Sequence, residues 1–309
     1  MRVVIIANPE ASAYSDSLVA DVIPRVERYA DVTLYQTAGP DHATKLAESI
    51  SDGATVILSV GGDGTAREVV HGLVESRRPS PMLIIPAGGS NSCYRSFWGD
   101  VPWRDALDQA LANPSARTRR LDLARLNENG KLVLAGASAG FPPQAVHNAE
   151  ALTELTGRAR YEKALVDLAA TYEPFPGRIT VDGREVHSGP TMLANIGGSR
   201  YRGGQFEVLP HSVIDDGLLD VCVIAGYHDP AEMLTLARAG THVTRPGVHY
   251  ARGRAVTVER TDGAPLWFEH DGEVLLDRSD RFTLTVEPHA VPMLVGDAAD
   301  LGRRAGVLA

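Results

Sequence analysis

The chain is nearly without cysteine: Cys93 and Cys222 are the only two in 309 residues. A disulfide framework is excluded, and a reducing compartment, the cytoplasm, is the natural assignment. Zinc is disfavoured too, because the two cysteines have no metal-site spacing and none of the ten histidines forms a His-x-x-x-His pair. Long apolar runs are missing. The first, Val3 to Ala7, stops at Asn8-Pro9 and is too short for a signal-peptide core or a membrane span, and no other segment approaches spanning length. Clustered Lys and Arg are also missing, and a formal net charge of -9 argues against a nucleic-acid partner. Any membrane contact must be hydrophobic or transient. There is no internal repeat and no low-complexity stretch. Neither the Gly-x-Gly-x-x-Gly fingerprint nor a Gly-Lys-Ser/Thr phosphate loop occurs.

What the chain does have is enough apolar residue, 44%, for two real cores. Up to about residue 120 it alternates short apolar runs with helical spacing. Val3 to Ala7 is followed by Leu18, Val22, Val26 and Tyr29, then by Val32 to Tyr35. A second helix from Asp41 buries Ala43, Leu46, Ala47 and Ile50, ahead of the strand Ala54 to Val60. A third helix is expected over Ala66 to Val74, and Met82 to Ile85 makes a fourth strand. Such a series predicts a parallel sheet with helices on both faces, a Rossmann-like doubly wound α/β domain over 1–120.

From about Thr118 the pattern becomes one of alternating strands and Asp-Gly turns, interrupted by a helical stretch around Ala149 to Tyr172. Ile179 to Val186, Ala255 to Glu259 and Leu266 to Leu276 are examples, and Phe282 to Glu287 closes the series. The expected fold class is thus α/β plus β: residues 121–287 form a mostly antiparallel β-sandwich, and the tail 288–309 returns to the first domain.

Two glycine-rich segments follow apolar strands. Gly61-Gly62-Asp63-Gly64-Thr65 lies between the third strand and the third helix, and Pro86-Ala87-Gly88-Gly89-Ser90-Asn91-Ser92 follows the fourth strand. Glycines let backbone N–H groups approach an anion, and a helix start adds its positive dipole end. Either segment alone also reads as a turn. Two at neighbouring strand ends, with the hydroxyls of Thr65, Ser90 and Ser92 and the amide of Asn91, suit a polyphosphate.

With Asn8-Pro9 ending the first strand, Glu68 one turn beyond Thr65, Asn195, Gly203-Gly204, Pro210, Asp215-Asp216-Gly217-Leu218-Leu219-Asp220 and Asp271-Gly272-Glu273, the order and spacing resemble the diacylglycerol kinase catalytic domain. That family is shared with sphingosine kinases and bacterial lipid kinases, and the resemblance covers nearly the whole chain. It implies ATP in a cleft between the domains, with Asn8, Thr37, Gly61, Gly62, Asp63, Gly64, Thr65, Glu68, Gly88, Gly89, Ser90 and Asn91 as nucleotide-site residues. It implies Asp271 as the general base, supported by Glu273, in a phosphoryl transfer that is mostly positioning and charge stabilisation. Asp216 would be the side-chain ligand of a structural Mg2+, with the carbonyls of Val213 and Leu218. On residue pattern alone, Asp271-Gly272 is indistinguishable from the turns at Asp182-Gly183 and Asp262-Gly263.

The family's usual Gly-Thr-x-Asn-Asp reads here Gly88-Gly89-Ser90-Asn91-Ser92, without the threonine and the final carboxylate; Asp122 is retained. The resemblance implies an ATP- and Mg2+-dependent kinase for diacylglycerol or a related lipophilic alcohol, compatible with peripheral membrane contact and with a homodimer. A soluble small-molecule or NAD kinase-like phosphotransferase, and a catalytically silent nucleotide-binding regulator, remain as alternatives.

Overall fold

The computed structural model describes residues 1–275, 279–300 and 302. The chain divides into two compact units, one built from Met1–Asp122 with the stretch that begins at His289, the other from Leu123–Pro288.

In the first unit β1 (Arg2–Ala7), β2 (Asp31–Gln36), β3 (Val56–Gly61) and β4 (Met82–Pro86) form a parallel sheet in the order β4-β3-β1-β2. Between them run α1 (Asp16–Glu27), α2 (His42–Ile50) and α3 (Asp63–Glu75), and beyond β4 come α4 (Ser92–Trp98), α5 (Trp103–Ala112) and the short α6 (Pro114–Arg117). α1 packs on α5 and α2 on α3, the pairing that right-handed crossovers produce when helices cover both faces. β3 is buried at every position because it is central and covered on both sides, whereas the edge strand β2 is largely exposed. The strand order reverses between β1 and β3, which opens a crevice at their carboxyl ends.

α3 begins at Asp63, earlier than the apolar spacing from Ala66 indicates. Gly62 is its extended N-cap, at φ -90 and ψ -171, and Asp63, Gly64 and Thr65 form the first turn. The low helix propensity of glycine hides this start, while an aspartate near the positive helix end favours it. α4 and α5 are likewise absent from the sequence reading. α4 buries Cys93, Tyr94, Phe97 and Trp98 on several sides and so carries no amphipathic period.

The second unit contains the end of β5 (Thr118–Leu126), β6 (Leu132–Val133), β7 (Ala137–Gly140), α7 (Phe141–Ala149), α8 (Gly157–Ala169), β8 (Phe175–Val181) and β9 (Arg184–Gly197). After the small pair β10 (Tyr201–Arg202) and β11 (Phe206–Glu207) come β12 (Leu219–Ala225), α9 (Pro230–Arg238), β13 (Val248–Gly253), β14 (Ala255–Arg260), β15 (Phe268–His270), β16 (Glu273–Leu275) and β17 (Arg281–Leu294). Leu276, the end of the expected last hairpin, lies outside the described residues.

β9 is long enough to serve two sets of neighbours. Its first part pairs antiparallel with β8, and its second with β7 and β12. Side chains from both sets share one sandwich core, in which Phe175, Ile179, Val256 and Phe282 meet Ala194, Val221 and Phe268. The Phe268 and Phe282 rings stack at 4.1 Å, worth about 0.5–1.5 kcal/mol beyond their burial, and so anchor β15. β12 is buried on both faces: Leu219, Val221 and Val223 enter this core, while Cys222 and Ile224 enter a second one under α7, α8 and α9. β17 pairs with β14 through Arg281 to Thr285, and further on its Met293 pairs in parallel with Met82 of β4.

Candidate active site

The first unit gathers the expected phosphate-loop residues at the carboxyl ends of its strands. The Asn8 side chain bridges them: Nδ2 donates to Thr65 Oγ1 at 3.0 Å, and Oδ1 accepts from Glu10 N at 3.0 Å and Thr37 Oγ1 at 3.4 Å. The two glycine segments touch. A Cβ on Gly88 would stand 2.4 Å from the Gly62 Cα, and one on Gly61 would stand 2.4 Å from Thr65 Oγ1, so the contact requires glycine. A Cβ on Gly64 would meet nothing within 4 Å. Asn91, at φ 53, closes the second loop by accepting from Gly88 N at 2.9 Å and donating to Gly88 O at 2.6 Å. Gly89 and Ser90 at its tip are exposed.

Two carboxylates near these loops hold helix starts. Asp63 accepts from Ser92 N at 3.0 Å and Cys93 N at 2.9 Å, which caps α4 from the first turn of α3. Glu68 points the other way: Oε2 accepts from Ala43 N at 3.2 Å, at the start of α2. The N-cap of α3 itself is Gly62, which has no side chain to satisfy the first N–H groups.

In the second unit, Asp271 sits at φ 48 in the turn between β15 and β16. Its carboxylate accepts three backbone N–H groups, Leu134 at 2.9 Å, Ala135 at 2.7 Å and Gly136 at 3.2 Å, and its own N–H donates to Gly136 O at 2.9 Å. Glu273 pairs with Lys131 at 2.6 Å, near the surface. Asp182, at φ 49 in another Asp-Gly turn, does similar work by accepting from Arg254 N and Ala255 N.

Behind Asp271 lies a charged cluster that the sequence reading missed. Glu269 is buried, and its carboxylate accepts from Ser138 Oγ and, at 2.8 Å, from Gly272 N, which fixes the turn from below. Burial raises its pKa, and the nearby Arg202 guanidinium opposes that shift. Arg202 donates to the Ile196 carbonyl at 3.2 Å and lies so close to Gly136 that a Cβ there would stand 2.2 Å from Nη2. Alternation along Phe268-Glu269-His270, with an acid on a buried strand, is the signal that marks Glu269. Arg200 is buried in an ion pair with Glu207.

The Asp216 segment offers hard oxygen donors but is already engaged. Oδ1 accepts from Leu218 N at 3.1 Å, and Oδ2 pairs with Arg252 Nη1 at 3.2 Å. Val213 is buried beside it. A carboxylate oxygen committed to a guanidinium does not suit a divalent cation, so the donor set fits a structural Mg2+ poorly. Among the described residues, no group of three or more His, Cys, Asp or Glu side chains could hold a metal ion.

The chain is similar to known proteins over most of its length. Residues 2–126 match the diacylglycerol kinase catalytic domain, and residues 135–295 match the YegS C-terminal NAD kinase beta sandwich-like domain. A probable lipid kinase YegS-like protein of Pseudomonas aeruginosa PAO1 is 31% identical over 240 residues, 77% of this chain and 76% of that one. The chain belongs to the YegS-like, diacylglycerol kinase-domain family of lipid kinases. A diacylglycerol kinase of Staphylococcus saprophyticus is 25% identical over 242 residues, 77% of this chain and 78% of that one. The fold is that of a putative diacylglycerol kinase from Bacillus anthracis, with a TM-score of 0.76 at 22% identity over 96% of this chain and 98% of that one.

This chain departs from the usual second-loop pattern at one buried position. Ser92, in place of the usual aspartate, is buried as the first residue of α4, with its N–H on Asp63. Asp122 is buried and accepts from His289 N at 2.7 Å, where β17 rejoins the first unit. Among the described residues, no helix is long and apolar enough to cross a membrane.

Proposed function

We propose that the chain transfers the γ-phosphate of ATP, bound with Mg2+, to a hydroxyl of diacylglycerol or a related lipophilic alcohol. The observation that carries this reading is the contact of Gly62 with Gly88 at the start of α3, where two glycines without side chains meet beside a helix whose N-cap residue offers no side-chain cap. Backbone N–H groups and the positive end of α3 would hold the phosphates, and the Asn8–Thr65 pair would keep that surface rigid. Mg2+ would supply charge neutralisation on the phosphates.

Asp271 would accept the proton of the attacking hydroxyl. Its three N–H donors and Glu269 orient it, so little reorganisation is left for the transfer step. The names of the relatives support a lipid acceptor. A second reading, a nucleotide-binding chain without transfer, is favoured by the likeness of Asp271 to the turn residue Asp182. A γ-phosphate transfer assay with Mg2+ and a panel of diacylglycerol, sphingoid, glycolipid and soluble alcohols decides between them. Transfer to a lipid supports the first reading; ATP binding with transfer to none of the acceptors supports the second.

A further inference from the structure

The turn Asp215-Asp216-Gly217 carries the acidic residues that the family resemblance ties to a structural cation, yet a cation of another kind is already built into this chain. Arg252 lies on β13, and the register of β12 with β13 sets it directly across from Asp220. From there its Nη1 reaches Asp216 Oδ2 at 3.2 Å. The two side chains are 23% and 22% exposed, so the pair is partly shielded although Asp216 as a residue lies at the surface. The other Asp216 oxygen closes the turn on Leu218 N.

We propose that the Arg252 guanidinium supplies the positive charge that a structural divalent ion would bring to the Asp216 turn, so that this turn keeps its shape without a bound ion. Two features make the guanidinium a permanent occupant. A strand backbone hydrogen-bonded along Leu219 to Ile224 carries it, and an arginine stays charged at any working pH. A dication on the same carboxylate oxygen would have a guanidinium nitrogen as its neighbour, like charge against like. The inference concerns this turn only and rests on no part of the transfer reaction; Mg2+ bound with ATP is a separate matter.

The test is thermal unfolding without nucleotide, in saturating Mg2+ and in EDTA, for the wild type, Arg252→Gln and Asp216→Asn. The wild type should melt at the same temperature in both. Arg252→Gln should melt lower in EDTA and recover about 2–4 °C in Mg2+, because removing the guanidinium opens the carboxylate to the ion. Should that variant fail to fold, Asp216→Asn serves alone: it is expected to lower the melting temperature equally in both conditions. A wild-type melting temperature raised by Mg2+ and made insensitive to it by Asp216→Asn would overturn the proposal. So would an Arg252→Gln variant that folds and ignores Mg2+.

Discussion

The Asp271 carboxylate accepts the Ala135 N–H at 2.7 Å, with Leu134 and Gly136 donating on either side, so the proposed base is also the fastening of its own loop. Replacing it therefore has two effects that must be separated. Asp271→Asn leaves one acceptor oxygen and turns an amide nitrogen toward an N–H group, a cost of about 1–3 kcal/mol. Asp182→Asn does the same to a similar turn and is the control. Denaturant unfolding should show comparable losses in the two variants. Phosphate transfer should fall about 100-fold or more in Asp271→Asn alone. Equal activity in both would reduce Asp271 to a turn residue.

The glycine loops admit a similar separation of stability from binding. Gly64→Ala adds a methyl group that meets no protein atom within 4 Å, at a helical position where alanine is the better residue. Its melting temperature should hold or rise while ATP affinity, read by calorimetry, falls about tenfold or more, because the methyl would enter the space proposed for the phosphates. Gly88→Ala, by contrast, drives a Cβ to 2.4 Å from the Gly62 Cα and should lower stability and affinity together. Unchanged affinity in Gly64→Ala would remove this loop from the nucleotide site.

Asp63 joins the starts of two helices. Asp63→Ala leaves the Ser92 and Cys93 N–H groups without their acceptor and should cost about 1 kcal/mol, with amide exchange accelerated first in α4. Exchange unchanged across Ser92–Trp98 would show that the cap contributes nothing.

Acid should weaken the second unit through His242. The ring is 1% exposed, Nε2 donates to the Val208 carbonyl at 3.2 Å, and burial lowers its pKa from 6.5 to about 4. Above pH 6.5 both folded and unfolded chains carry it neutral. As the pH falls from about 6.5 toward 4, the unfolded chain binds a proton that the folded chain refuses, so stability drops by up to about 3 kcal/mol. The wild type should therefore lose more than His242→Gln when urea unfolding at pH 7 is compared with pH 4.5. Equal losses would mean that the buried ring does not titrate as its surroundings imply.

The doubly wound sheet was legible because its strands are short apolar runs and its first helices carry a regular apolar spacing, as in Ala43, Ala47 and their neighbours. The start of α3 was not, because Gly62 and Gly64 speak for a turn while the carboxylate of Asp63 and the dipole favour a helix. α4 was hidden by burial on several sides. Glu68 could be placed near the first loop but not assigned its contact, since the Ala43 N–H it receives comes from a different crossover. Asp271 and Asp182 look alike in sequence and remain alike in backbone conformation, so neither the local pattern nor φ distinguishes a base from a turn residue. The Arg252–Asp216 pair spans 36 positions and depends on the β12–β13 register, which no local pattern encodes.

The pairing of Met293 with Met82 also bears on how the chain is made. β4 leaves the ribosome roughly 200 residues before its second neighbour, and at about 5–20 residues per second that is roughly 10–40 s of waiting. Throughout that interval the first unit presents the open edge of β4, Met-Leu-Ile-Ile, paired with β3 on one side only, a template for mispairing with other chains. Yield in the cell should therefore depend on chaperone supply and on translation speed through the β-sandwich as much as on the stability of the finished protein.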